Sequence, residues 1–253
     1  MSGVTNSSMC QSPRCRDGFG SLRDVCEDDD MNSLTDDARL IELLDELYRL
    51  NDAQNQAIDD YYASGAERPT GFEEEDSSSR NFWRDKFVAI DRDKAEFVYL
   101  LCRSIAATRI IEAGTSFGVS TLFLAAAARD NGGGLVTTCD IEPTKMAVAR
   151  ENFEIAMLSD SIDTRTGDIR NTLLNIDKPI DFLLLDIWAP IAADVVQLVG
   201  PHIRPGGVIV ADNTAVRRNL YDGLFEYLEK PENGFTTRTL PFDGGLEVAV
   251  KTS

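Results

Sequence analysis

The sequence predicts an α/β fold: a seven-stranded, mostly parallel sheet with helices on both faces and extra helices ahead of the first strand. Three observations predict it. From Arg109 to the end, short β-branched or apolar runs alternate with segments of helical period. The first run, Arg109–Ala113, passes through a glycine-rich turn, Gly114 to Gly118, into the apolar run Leu122–Ala128. Five successive strand ends carry an acid: Glu112, Asp140, Asp168, Asp186 and Asp212. In an open α/β sheet those ends form the edge where ligands bind.

Taken in order, residues 1–32 are polar and acidic, lack periodic apolar positions and are expected to be a disordered tail. Residues 33–80 read as a helical extension and loop. Ser33 and Asp36 resemble a capping box, and Leu40, Ile41, Leu43, Leu44, Leu47 and Leu50 recur at helical spacing. Such a face serves core packing, a homodimer interface or a lid over the site. A second helix is expected through 57–63 and a loop over 65–79, with its Gly, Pro, Glu and Ser residues. The main domain then spans 81–253. Asp91 is placed to cap a helix over 94–105, which leads into the first strand. Strands follow at 135–139, 162–166, 180–186, 208–211, 234–240 and 246–251, and helices at 144–157, 170–175, 192–199 and 216–229.

The net charge of −18 is uneven: residues 1–80 hold 19 acidic and 7 basic side chains. An acidic chain without a basic cluster argues against nucleic acid and against anionic membrane surfaces. No run of about 18 apolar residues suggests a membrane span, and no signal peptide is read, so a cytoplasmic location is expected. The five cysteines, Cys10, Cys15, Cys26, Cys102 and Cys139, fit no zinc spacing and are read as reduced thiols.

The acids at the strand ends have chemistry available to them. Asp140 lies 26 positions after Gly114, near the spacing at which nucleotide folds place a ribose-binding carboxylate, with Glu142 as the competing residue. Asp168 is positioned to accept from an adenine amino group. The helix start at Ser120 suits a ligand carboxylate. Asp186, Asp212 and Asn213 are hard oxygen donors of the kind that hold Mg²⁺; equally, Asp212-Asn213 can form an Asx turn.

The pattern Glu112-x-Gly114-x-Ser116-x-Gly118-x-Ser120 resembles the first motif of class I S-adenosylmethionine (SAM) methyltransferases, which have a Rossmann-like fold. With Thr138–Pro143, Asp181–Trp188 and Arg204–Asn213, and with the closing Leu240–Lys251, it is similar to the cation-dependent O-methyltransferases of the catechol and caffeoyl-CoA type. The resemblance covers about residues 87–253. It implies a last strand running antiparallel. It also implies SAM held by Glu112, Gly114, Ser116, Gly118, Ser120, Asp140, Asp168, Asp186 and Trp188, and a divalent cation, Mg²⁺, on Asp186, Asp212 and Asn213. The acceptor implied is a hydroxyl of a small, catechol-like molecule. One position departs from the pattern: where the family places a general-base lysine after the metal aspartate, this chain has Ala189. The proton must then go to Asp186, be released through a metal-bound hydroxyl, or pass to a residue of the N-terminal region. A methyltransferase that needs no metal, and a SAM-binding member without activity, are the alternatives.

Overall fold

The computed structural model describes residues 36–65, 82–176, 179–216 and 218–253. The tail expected over 1–32, Ser33 and residues 66–79 of the expected loop lie outside the described residues. The helices preceding the sheet are α1 (Ala38–Asp52), α2 (Asn55–Ala63) and α3 (Arg92–Ser104). The capping residue of α1 is Asp37, whose carboxylate accepts from the Leu40 N–H at 3.2 Å.

From Arg109 the order is β1 (Arg109–Ala113), α4 (Val119–Asp130), β2 (Leu135–Asp140), α5 (Pro143–Ile155), β3 (Ile162–Thr166), the one-turn α6 (Ile169–Thr172), β4 (Ile180–Leu185), α7 (Ala189–Val199), β5 (Ile203–Asp212), α8 (Asp222–Glu229), β6 (Phe235–Leu240) and β7 (Leu246–Lys251). The strands form one sheet in the order β3-β2-β1-β4-β5-β7-β6. Strands β1 to β5 pair in parallel, and β7 inserts antiparallel between β5 and β6. The expected antiparallel last strand is therefore present.

Strand side chains alternate between faces, and each face has its own core. Ile110, Phe182, Leu184, Val208 and Val210 pack with Leu40, Leu43, Leu44 and Leu47 of α1, and with apolar residues of α3, α4 and α5. Ile111, Ala113, Leu183, Leu185, Ile209 and Ala211 pack on α6, α7 and α8. The leucine face of α1 is thus spent on the main core.

Several boundaries differ from expectation. Helix α7 begins at Ala189, three residues early, because Pro190 suits a first helical turn, where no N–H is needed. The helix expected from Val216 begins as α8 at Asp222, after a short 3₁₀ turn at Arg218–Tyr221. There the backbone is committed elsewhere: Ala215 N–H donates to the Gly244 carbonyl at 2.8 Å. Strand β5 starts at Ile203, ahead of the proline-glycine stretch, and its pairing with β4 slips between Ile180 and Phe182. At the opposite end from the acids, Asp181 staples the sheet. It accepts from Thr108 and Arg109 N–H at 2.8 Å and pairs with Arg204 at 2.5 Å.

Candidate functional site

The turn after β1 is held in an uncommon backbone shape. Gly114 has φ +104° and Gly118 φ +88°. At both positions the protein itself takes the space a side chain would need. A Cβ on Gly114 would lie 1.9 Å from the Asp186 carbonyl oxygen, and one on Gly118 would lie 2.4 Å from the Phe153 ring. Ser116, between them, is a non-glycine residue at φ +47°. Its N–H donates to Asp140 Oδ2 at 2.7 Å, while Asp140 Oδ1 accepts from Glu142 N–H at 2.9 Å. The acid at the tip of β2 is thereby tied to the turn after β1, with lone pairs left on both oxygens.

Gly118 is the N-cap of α4, and no side chain caps this helix start. Its uncapped N–H groups and positive dipole end suit a ligand carboxylate. Beside it, Glu112 is fully buried. Its Oε2 accepts from Thr138 Oγ1 at 2.5 Å and from the Thr121 hydroxyl, while Oε1 has no hydrogen-bond partner among the described residues. Burial raises the Glu112 carboxyl above its usual range, against the lowering pull of the Ser120, Thr121 and Thr138 hydroxyls. An orphaned acceptor beside an uncapped helix start fits an amino-acid moiety, with its ammonium and its carboxylate.

A crevice at this edge is lined by Phe87–Ile90, Gly114–Phe117, Val119, Ser120 and Asp186. Phe87 stacks on Phe117 at 4.0 Å between centroids, so the segment ahead of α3 covers the turn. Four expected residues, Gly114, Ser116, Ser120 and Asp186, therefore share one crevice, and Asp140 joins them through Ser116. Asp168 is engaged differently. It caps α6 and holds the Arg170 guanidinium, with Arg170 Nη2 to Oδ2 at 2.8 Å. Trp188 is half-buried and meets Trp83 edge-on at 6.4 Å. Trp83 in turn contacts Phe82 and Tyr61, extending an aromatic wall from the tip of β4.

Two of the expected cation ligands, Asp212 and Asn213, converge, but on a side chain. Lys94, in the first turn of α3, is 1% exposed and places Nζ 2.8 Å from Asp212 Oδ1 and 2.9 Å from Asp91 Oδ2. Asn213 Oδ1 lies 3.5 Å from the same nitrogen. Asp212 also accepts from Asn213 N–H and Nδ2, each at 2.8 Å. As these side chains stand, the set does not fit a divalent cation. A 2+ ion about 4 Å from the ammonium would be repelled by about 8 kcal/mol at an effective dielectric near 20. Among the described residues no group of three or more His, Cys, Asp or Glu side chains is disposed to hold a metal ion.

Burial lowers the proton affinity of Lys94, but Asp212 and Asp91 more than offset this, so the ammonium form is favoured. Asp186 is pushed well above the usual carboxylate range by burial, then by the nearby charge of Asp212. Asp212 is also raised by burial, with Lys94 pulling the other way. Tyr221 donates its hydroxyl to the Asp212 carbonyl at 3.0 Å and pins this strand end. Asn213 sits there at φ +56°, which asparagine tolerates better than most residues.

Sequence reading passed over two buried lysines. Lys94 carries no signal beyond a lysine near a helix start. Lys145 could have been noticed: it stands in the first turn of α5, where a positive charge opposes the helix dipole. Its Nζ is 3.5 Å from Ser116 Oγ and 5.4 Å from the Phe117 ring centroid. Burial lowers its pKa, against Asp140 and Glu142. Cys102 and Cys139 are buried free thiols, as read; the other three cysteines lie outside the described residues. Among the described residues no helix is long and apolar enough to cross a membrane.

Comparison with known proteins bears on this geometry. A family model described as a methyltransferase domain matches residues 111–214. A catechol O-methyltransferase of Niastella koreensis is 31% identical over 130 residues, 50% of this chain and 58% of the relative. One of Mycobacterium tuberculosis is 32% identical over 127 residues, 50% of this chain and 57% of the relative. The chain thus spans little more than half the length of the curated relatives it matches. An O-methyltransferase from Bacillus cereus, solved in complex with SAH, superposes with a TM-score of 0.61 at 21% identity, over 83% of this chain and 91% of that one. The O-methyltransferase TomG from Streptomyces achromogenes, solved with SAM, gives 0.60 at 22% identity, over 82% and 99%. At such identities the structures establish the fold alone.

Proposed function

We propose that the chain, whose residues 111–214 match a methyltransferase-domain model, is a class I O-methyltransferase of the catechol and caffeoyl-CoA type that moves the methyl group of SAM to a hydroxyl oxygen of a small aromatic molecule. The observation that supports this best is the edge where Asp140 is bonded to the turn at Ser116, beside the uncapped start of α4 and the unpartnered Glu112 oxygen. In this reading Asp140 accepts from the ribose hydroxyls. The N–H groups of α4 and Ser120 take the methionine carboxylate, and Glu112 takes the ammonium. The aromatic wall of Trp188, Trp83 and Phe82 favours a planar acceptor.

SAM, when bound, supplies a methyl group already activated by its sulfonium charge. The chain's own task is alignment: holding the acceptor oxygen in line with the bond from methyl to sulfur, at near contact. Transfer to a hydroxyl would also require a residue that takes the hydroxyl proton. Ala189 cannot accept it. Asp186, which lines the crevice, is the residue we assign to it.

The test is calorimetric titration of the full chain with SAM and SAH, followed by mass-spectrometric detection of methyl transfer to a panel of monophenols and catechols. Binding with transfer to at least one of them is expected. Absence of SAM binding would overturn the reading. Binding without transfer to any of a broad panel would favour the non-catalytic alternative that Ala189 motivates.

A further inference from the structure

We propose that the Lys94 ammonium stands in the place of the divalent cation, so that this site binds its acceptor oxygen without a metal ion. The inference rests on the methyltransferase reading for the identity of the acceptor, but its geometry does not depend on it.

Three features carry it. First, the ammonium is built in. Lys94 is 1% exposed, and its three N–H donors face three oxygens, on Asp91, Asp212 and Asn213. Lys94 and Asp212 are 118 residues apart, so the contact is made only by the fold. Second, Asp212 already accepts three hydrogen bonds, which leaves about one lone-pair site on its carboxylate. One oxygen accepts from Lys94 and from the Asn213 N–H, and the other from Asn213 Nδ2. Third, Asn213 is turned to match. With Nδ2 given to Asp212, its Oδ1 faces the ammonium at the longest of the three contacts, 3.5 Å. That contact is the one an acceptor oxygen can replace at least cost.

A consequence follows for the acceptor. A divalent cation accommodates two oxygens of a vicinal diol at once. An ammonium with two of its three donors already committed has one to offer. Such a site selects for a single hydroxyl, held as a charge-assisted hydrogen-bond acceptor. A second, adjacent hydroxyl is not required.

The experiment uses the full-length wild-type chain, stripped of metal with EDTA and dialysed. Mn²⁺ is titrated in and followed by electron paramagnetic resonance of the free ion. No saturable binding is expected below about 1 mM, the weak end of protein cation sites. Lys94→Ala removes the ammonium and leaves the oxygens; it should bind Mn²⁺ at least tenfold more tightly than wild type. One Mn²⁺ bound per wild-type chain well below about 1 mM, and lost in Asp212→Asn, would overturn the proposal. So would a folded Lys94→Ala that gains no Mn²⁺ affinity. If Lys94→Ala does not fold, the wild-type and Asp212→Asn titrations decide by themselves. SAH binding, measured in parallel with EDTA present, separates the two readings: its absence sinks the methyltransferase reading, and Mn²⁺ binding sinks this one.

Discussion

Replacement of Asp140 by asparagine probes the cofactor half of the site. The aspartate carboxylate accepts Ser116 N–H at 2.7 Å and Glu142 N–H at 2.9 Å. Asparagine is nearly isosteric but presents one acceptor oxygen, so one of those N–H groups would face an amide NH₂. Hydrogen bonds to a charged acceptor contribute about 1.5–3 kcal/mol, and an unsatisfied donor costs a similar amount. In the proposed complex the variant also replaces a charged acceptor at the ribose with a neutral one. That second change removes about 1–3 kcal/mol of binding energy, a rise in Kd of about 5-fold to 150-fold. The free protein should lose about 1–2 kcal/mol, a fall in Tm of about 2–8 °C for a chain of this size. Calorimetry with SAH reads the first quantity without turnover, and scanning calorimetry the second. Glu142→Gln serves as the control and should retain affinity, since the Glu142 backbone, not its side chain, bonds to Asp140. A well-folded Asp140→Asn with wild-type affinity for SAH would refute the reasoning.

Three further outcomes are expected. Gly114→Ala places a Cβ 1.9 Å from the Asp186 carbonyl oxygen, at a φ of +104°. Overpacking and left-handed strain together cost about 3 kcal/mol or more, so Tm should fall by about 6–12 °C, and an unchanged melt would contradict the packing described. Leu44→Ala, at a position 4% exposed in the main core, should cost about 2–5 kcal/mol in urea unfolding; a neutral result would mean that α1 is a detachable extension. For Asp181, burial raises the carboxyl. The Arg204 guanidinium and the Thr108 and Arg109 N–H groups more than offset this and hold it below the usual range. A depressed folded value stabilises above the unfolded value near 4 and is lost as pH falls through the folded one. Asp181→Asn should therefore cost about 2 kcal/mol at pH 7, and the gap to wild type should close as pH drops below about 4, read from unfolding curves across pH.

What could be read from the chain alone was local or followed from sheet geometry. Strand–turn–helix at Arg109–Ala128 depends on residues adjacent in sequence. That Glu112, Asp140, Asp186 and Asp212 reach one edge follows because parallel strands all end there. The antiparallel insertion of β7 was legible only through resemblance, since no periodicity reports strand direction. The tertiary structure decided what those acids face. Whether Asp212 and Asn213 meet a metal ion or an ammonium depends on Lys94, 118 residues earlier. A lysine near a helix start looks alike whether it points to water or into a core. It also decided that Gly114 and Gly118 make room for Asp186 and Phe153, and that the leucines of α1 complete the main core. Spacing along the chain carries secondary structure because those hydrogen bonds are short-range in sequence. The electrostatic partner of a buried charge is set by packing between distant segments, so that part of the site appears only once the fold is formed.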